Sequence, residues 1–336
     1  MSRICKDKIR FATIGTNFIV DWFLEAAAVC DGLQHQAVYS RNEEKGRAFA
    51  EKYGVSRVYT SLEELAESKE IDAVYIASPN SLHFGQAARM LKAGKHVLCE
   101  KTITSNPREL RVLLELAKEH QVTILEAMRS AFDPGFQTIR ENLGRLGKIR
   151  RVTFQYGKYS SRYDHFKEGI IENAFNPALS NGALTDIGVY CVHPLVKLFG
   201  MPKRVIADGI FLENGVDAAG TVLADYDGMQ AELLYSKISD NRLPSQIQGE
   251  EGTMLIEDIP NPYQVTLIDR KGREEVLISR ENERNLIYEA QEWARVINGE
   301  SDAGLHNRFS VMELEVMEEV KKQLGICFPA DKEDIL

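Results

Sequence analysis

The sequence predicts an α/β protein: an N-terminal Rossmann-type, doubly wound parallel sheet, then a C-terminal α+β domain with a large, mostly antiparallel open sheet. Three observations predict it. Short apolar runs alternate with helical stretches through residues 9–127, the pattern of parallel strands buried on both faces. After Pro134 strand-like pieces follow one another across short turns, which implies antiparallel or mixed pairing. A length of 336 residues suits two domains, each with its own core. The expected division is 1–127 and 128–336, with the C-terminal helix free to pack back on the first domain.

In the first part, "IRFATIG" (9–15) reads as a strand, followed by a helix from about residue 21 to 30 and the strand "HQAVYS" (35–40). A charged helix (43–54), the short strand "VYT", the helix "SLEELAES" and the strand "DAVYIAS" (72–78) come next. A helix over 83–94, the strand "HVLCE", the helix "NPRELRVLLELAKEH" and the strand "VTILEA" (122–127) complete the alternation. The boundaries have local causes. Ser61 and Glu64 stand at capping-box spacing, Gly54 and Gly94 occupy helix C-terminal positions, and Pro107 suits a first helical turn. In the second part a helix over 135–147 precedes strands at 150–156, 203–212, 220–226, 229–236 and 252–258. A hairpin over 263–279 turns at Lys271-Gly272, and helices near 286–298 and 310–323 close the chain.

Composition excludes several function classes. The chain is 44% hydrophobic and 27% charged, with a net charge of −9 and scattered basic residues, so it offers no footprint for nucleic acid or an anionic membrane. The N-terminus lacks the pattern of a signal peptide, and no segment approaches the roughly 20 apolar residues that span a bilayer. Cys5, Cys30, Cys99, Cys191 and Cys327 are widely spaced and odd in number, which argues against disulfides or a metal site and for a reduced, cytoplasmic protein.

Ligands of doubly wound sheets lie beyond the carboxyl ends of the strands, where the strand order reverses. The first strand runs into "GTNFIV". Against the dinucleotide fingerprint G-x-G-x-x-G/A, Gly15 matches, Asn17 stands at the second glycine and Val20 at the third. Taken alone, this segment is equally well read as a plain strand-to-helix turn, in which Asn17 would tolerate left-handed backbone. Gly15, Thr16, Asn17, Phe18 and Ile19 are the candidate cofactor contacts here. The second strand ends in Ser40 and Arg41, with no carboxylate before Glu43. An acidic residue at this place grips a ribose 2′-hydroxyl and an arginine accommodates a 2′-phosphate, so NADP(H) is expected over NAD(H). Read blandly, Arg41 is a solvated surface charge.

The motifs "ASPNSLHFGQAARMLKAGKHVLCEKTI" (77–103) and "NGALTDIGVYCVHPLVKLFG" (181–200), together with the altered fingerprint, resemble the Gfo/Idh/MocA family of NAD(P)-dependent oxidoreductases along essentially the whole chain. "EAMRSAFDP" (126–134) is similar to its dihydrodiol dehydrogenase and glucose-fructose oxidoreductase branch. The resemblance implies that Lys101 contacts the nicotinamide ribose and the reacting oxygen, that Tyr190 is the acid/base, and that Asp186 is the catalytic aspartate four residues before it. It places Ser78, Pro79, Asn80, His83 and Glu100 beside the cofactor, and His193 and Arg129 with Tyr190 at the substrate. It further implies a carbohydrate-like or cyclic-diol substrate, and a homodimer or homotetramer through the C-terminal sheet. A non-catalytic NADP(H)-binding regulator and redox-assisted glycosidic cleavage are the competing functions.

The chemistry is coherent. Hydride transfer at a carbinol carbon needs a proton moved on or off the oxygen, and the protein must supply that proton path. A phenol (free pKa about 10) and an ammonium (about 10.4) must be brought towards neutrality to do so. If 185–200 is helical, Asp186 and Tyr190 share a face, with His193 near it. Arg162 and His165 read equally as substrate contacts or as a solvated loop. Three departures from the family pattern stand out: Thr102 in place of proline, expected to loosen that turn, Asn181 in place of glycine, and Ala131 in place of arginine.

Overall fold

The computed structural model describes residues 8–332; Cys5 lies outside the described residues. The chain divides into two compact units. The first holds the described part of Met1–Thr104 with Arg108–Met128 and Leu286–Arg308, and the second holds Ser105–Pro107, Arg129–Asn285 and the described residues from Phe309 onward.

The first unit runs β1 (Ile9–Ile14), α1 (Phe18–Ala28), β2 (Leu33–Tyr39), α2 (Glu43–Lys52), β3 (Arg57–Tyr59), α3 (Leu62–Glu67), β4 (Ala73–Ile76), α4 (His83–Lys92), β5 (His96–Glu100), α5 (Pro107–Glu119) and β6 (Ile124–Ala127). The strand order is β3-β2-β1-β4-β5-β6, and every neighbouring pair is parallel. Strands buried on both faces explain the continuous apolar runs: all four residues of β4 and of β6 are buried. The order reverses between β1 and β4, which fixes the ligand crevice at their carboxyl ends.

One late segment belongs to this unit. Helix α9 (Leu286–Ile297) lies against α1, and its Trp293, fully buried, meets Phe11 edge-on at 5.7 Å. An indole of that size removes a large apolar area from water, so this helix is part of the first unit's core.

The second unit contains α6 (Pro134–Asn142), β7 (Ile149–Gly157), α7 (Ser161–Lys167), α8 (Val189–Phe199), β8 (Arg204–Phe211), β9 (Asp217–Tyr226), β10 (Met229–Ser236), β11 (Ser245–Gly249), β12 (Gly252–Ile256), β13 (Gln264–Asp269) and β14 (Glu274–Ser279). α10 (Ala303–Leu324) begins in the first unit and ends in the second, where α11 (Pro329–Lys332) follows it. The eight strands are ordered β14-β13-β12-β11-β7-β10-β9-β8. Only β7 and β10 pair in parallel; the other pairs are antiparallel. β10 shows the two-residue period of a sheet covered on one side, with Met229, Ala231, Leu233 and Tyr235 buried, and α8 packs against β7 and β10.

β11 is the strand that the apolar pattern does not reveal. "SQIQG" fully buries Ser245 and Ile247 alone, so its identity comes from pairing with β7 and β12 rather than from its composition.

Candidate active site

The turn after β1 is set by two residues. Gly15 has φ +122°, and a Cβ there would lie 2.8 Å from the Ala77 carbonyl oxygen, closer than side-chain carbons come. Asn17 is extended (φ −90°, ψ 175°), so the turn makes no use of its tolerance for left-handed backbone. Its Oδ1 accepts from the amides of Ile19 (3.1 Å) and Val20 (3.4 Å), and its Nδ2 donates to Ala77 O at 2.8 Å. The N-cap thus also ties the turn to the end of β4, at the place where the strand order reverses.

At the end of β2, Ser40 Oγ donates to Asn42 O at 2.9 Å, and Asn42 caps α2 by accepting from Lys45 N at 2.9 Å. Arg41 beside them is exposed and has no hydrogen bond or ion pair among the described residues. A glycine turn at close approach, a helix N-terminus behind it and a free guanidinium at the second strand fit a dinucleotide carrying a 2′-phosphate.

Lys101 is the first residue beyond β5. Its backbone amide donates to Glu100 Oε2 at 3.3 Å, while Glu100 Oε1 accepts from the Tyr75 hydroxyl at 2.5 Å. Tyr75 is fully buried and stacked on Phe23 at 3.9 Å, so the strand end is anchored in the core. The Lys101–Thr102 peptide is cis. Thr102 is buried, against the expectation of a loosened turn. His83 holds it: Nδ1 lies 3.0 Å from Thr102 O and Nε2 lies 2.9 Å from Ser78 O. Burial pushes the His83 pKa down, with the carbonyls opposing, and the ring is inaccessible. It braces the two loops from behind, whereas the sequence placed it at the cofactor. Ser78 in turn donates to Gln86 at 2.7 Å, Pro79 opens the short 3₁₀ turn Asn80–Leu82, and Glu126 accepts from the Ile103 amide at 3.0 Å.

In the second unit, residues 184–188 form a π-helical turn leading directly into α8. The α-helical spacing assumed for Asp186 and Tyr190 therefore does not hold, and such bulges recur at functional sites. The Tyr190 ring meets Tyr156 edge-on at 5.6 Å. Arg129 covers it at 5.1 Å, with Nε 3.4 Å from the phenol oxygen. Arg129 also donates to Asn285 Oδ1 at 2.7 Å, and Asn285 Nδ2 donates to Asp133 Oδ2 (2.8 Å) and Pro260 O (3.2 Å). Asp133 is buried and paired with Arg280 at 2.6 Å. Asp258 lies just beyond β12, and burial pushes it up to about 6 against the pull of Arg129 and Lys158.

Asp186 is one-third exposed and pairs with the buried Lys237 at 2.8 Å. The backbone beside it is fixed by Asp217, whose Oδ2 accepts from Leu184 N at 2.6 Å. Gly182 is glycine for the same reason, since a Cβ there would meet Asp217 Oδ1 at 1.8 Å. His193, expected at the substrate, is instead buried with Nδ1 2.7 Å from Glu313. Arg162 and His165 both turn to Glu172, at 3.3 and 2.5 Å. Sequence reasoning missed Lys237, Asp217, Asp258 and Asn285, none of which lies in a recognisable motif. A cavity of about 550 Å³ opens on the other side of the sheet, lined by Gln155, Asp208, Ile210, Thr221 and Leu234 among others. None of the sequence-predicted site residues borders it, so its size is no guide to the chemistry.

Two family models match the chain: "Oxidoreductase family, NAD-binding Rossmann fold" over residues 9–128 and "GFO/IDH/MocA C-terminal domain" over 136–255. The chain belongs to the Gfo/Idh/MocA oxidoreductase family. A scyllo-inositol 2-dehydrogenase (NADP(+)), IolU, of Bacillus subtilis (strain 168) is 46% identical over 326 residues, covering 96% of this chain and 99% of that one. Trans-1,2-dihydrobenzene-1,2-diol dehydrogenase of Mus musculus is 29% identical over 339 residues, covering 96% and 99%. Among solved structures, the 3-ketoreductase KijD10 from Actinomadura kijaniata in complex with NADP superposes with a TM-score of 0.81 at 22% identity, covering 94% of this chain and 98% of that one. That likeness concerns the fold. Among the described residues no helix is long and apolar enough to cross a membrane.

Proposed function

We propose that this oxidoreductase is an NADP(H)-dependent dehydrogenase of cyclic polyols, with scyllo-inositol or a stereoisomer as the substrate class. Its relative of 46% identity carries that activity in its name, and the exposed, unpartnered Arg41 supports the phosphorylated cofactor. The observation that carries the catalytic reading is the Tyr190 phenol with the Arg129 guanidinium 3.4 Å away. A fixed cation at that distance attracts the phenolate that takes a proton during oxidation, and in the reverse direction stabilises the negative charge left on the oxygen as the proton is given up.

The bound nicotinamide supplies the hydride chemistry. The side chains move the proton. Tyr190 takes it from the substrate hydroxyl as the carbinol carbon becomes a carbonyl, Lys101 donates a hydrogen bond to the same oxygen, and Asp186 supports the relay. Gly15, Thr16, Asn17, Phe18 and Ile19 line the dinucleotide with Ser78, Pro79 and Asn80. Glu100 and His83 hold Lys101 and its loop in register. The first unit is read as the dinucleotide-binding domain and the second as the domain for substrate and self-association. Ile206 and Ile210, each at least half exposed on β8, suit a second copy of the chain, giving a homodimer or homotetramer in the cytoplasm.

The test is initial-rate absorbance at 340 nm with inositol stereoisomers and open-chain polyols, each with NADP+ and NAD+. The reading predicts reduction of NADP+ by at least one cyclic polyol, with higher kcat/KM than for NAD+. No turnover on the panel, despite NADPH binding, would sink it in favour of a regulator.

A further inference from the structure

Lys237 occupies a place where an apolar side chain is expected. It continues the inward row of β10, after Met229, Ala231, Leu233 and Tyr235, and its amide extends the ladder by donating to Ala218 O at 2.8 Å. Its side chain is 1% exposed. An ammonium there costs several kcal/mol unless its charge and donors are met. Three groups meet them. Asp186 Oδ2 lies 2.8 Å away, the Ala174 carbonyl accepts a hydrogen bond, and the Phe175 ring faces the charge at 4.6 Å.

Two of these groups belong to the segment 158–180, which packs in a small cluster with residues that flank β8, β9 and β10. Phe166, Phe175 and Val216 are buried together, with Tyr163, Ala174, Leu212 and Ile238 packed around them. The backbone of Lys237 holds the other end of the same segment, because its carbonyl accepts from Ser160 N at 2.9 Å. One residue thus clasps the segment at both ends and grips Asp186 by its carboxylate. With Asp217 fixing the backbone at Leu184, Asp186 is held from two adjacent strands.

We propose that Lys237 is a positioning residue: it orients Asp186 for the reaction and couples the segment 158–180 to that carboxylate. The proposal rests on the reading that Asp186 supports catalysis. A carboxylate held by one buried cation keeps a single orientation, and misplacement by about 1 Å costs up to ~100-fold in rate.

The experiment compares wild type, Asp186→Asn, Lys237→Met, Lys237→Arg and the double variant Asp186→Asn/Lys237→Met, on the best polyol with NADP+. It measures kcat, KM, NADPH Kd, melting temperature and trypsin cleavage within 158–180. Lys237→Met is expected to lower kcat ~10–100-fold with NADPH Kd unchanged, and to expose Arg162 and Lys167 to cleavage. Lys237→Arg is expected to recover most of the loss, since it keeps the charge and donors. The double variant is expected to be no slower than Asp186→Asn alone, because the lysine acts through that carboxylate. A purely structural role would lower melting temperature without this non-additivity. Wild-type kcat in Lys237→Met, or additive losses in the double variant, would overturn the proposal while leaving Asp186 in place. Full activity in Asp186→Asn would overturn both the reading and the proposal.

Discussion

The two units hold their candidate reactive groups by different means. In the first, Lys101 sits at a strand end braced by hydrogen bonds, Tyr75 to Glu100 and His83 to two carbonyls. In the second, Asp186 and Tyr190 are held by cations, with buried Lys237 against Asp186 and Arg129 against Tyr190, while Arg280 pairs with buried Asp133. Ordered backbone suffices where a parallel sheet already delivers the residue to a crevice. A π-turned helix lacks that guarantee, and charge partners distant in sequence take its place.

The largest effect that separates the two is steric. Gly182→Ala places a carbon 1.8 Å from buried Asp217 and should cost about 3 kcal/mol or more, with turnover lost while NADPH binding to the first unit persists. Chemical denaturation and a cofactor titration check both parts. Next, Arg41→Ala should weaken NADPH binding roughly 10–100-fold, the worth of a charge-assisted contact, and leave NADH unchanged. Equal weakening of both cofactors would place Arg41 elsewhere. Asn17→Ala removes the α1 cap and should lower stability by about 1 kcal/mol, measured by thermal melting.

The gentlest probe is pH. Burial holds His35 of the first unit down to about 4, so folding loses stability as pH falls from the free value near 6.5 towards 4. Asp258 of the second unit is held up to about 6, so the opposite sign applies: its protonated form favours folding, and stability rises as pH falls from 6 towards 3.8. His35→Phe should flatten the first trend and Asp258→Asn the second, in melting curves across pH 4–7.

What the sequence reveals follows the same division. The order of strand and helix in the first unit was legible because parallel strands write themselves as apolar runs, and strand ends mark the crevice. Asn17 was legible as a turn residue, but its capping geometry was not, since capping depends on the carbonyl of Ala77 sixty residues away. β11 was hidden by its polar composition, and the braces Lys237, Asp217, Asp258 and Asn285 were hidden because each acts across a long stretch of chain. His193 misled for the opposite reason: its place in a motif says nothing about Glu313 behind it.

The most direct test of the central claim, that Lys101 and Tyr190 serve one proton transfer, is a double-mutant cycle on steady-state kcat with NADP+ and a cyclic polyol. Lys101→Met and Tyr190→Phe should each lose ~10²–10⁴-fold, and the double variant should lose no more than the larger of the two single losses, as groups acting as a unit do. Wild-type turnover in either single variant, or losses that multiply in the double, would contradict the claim.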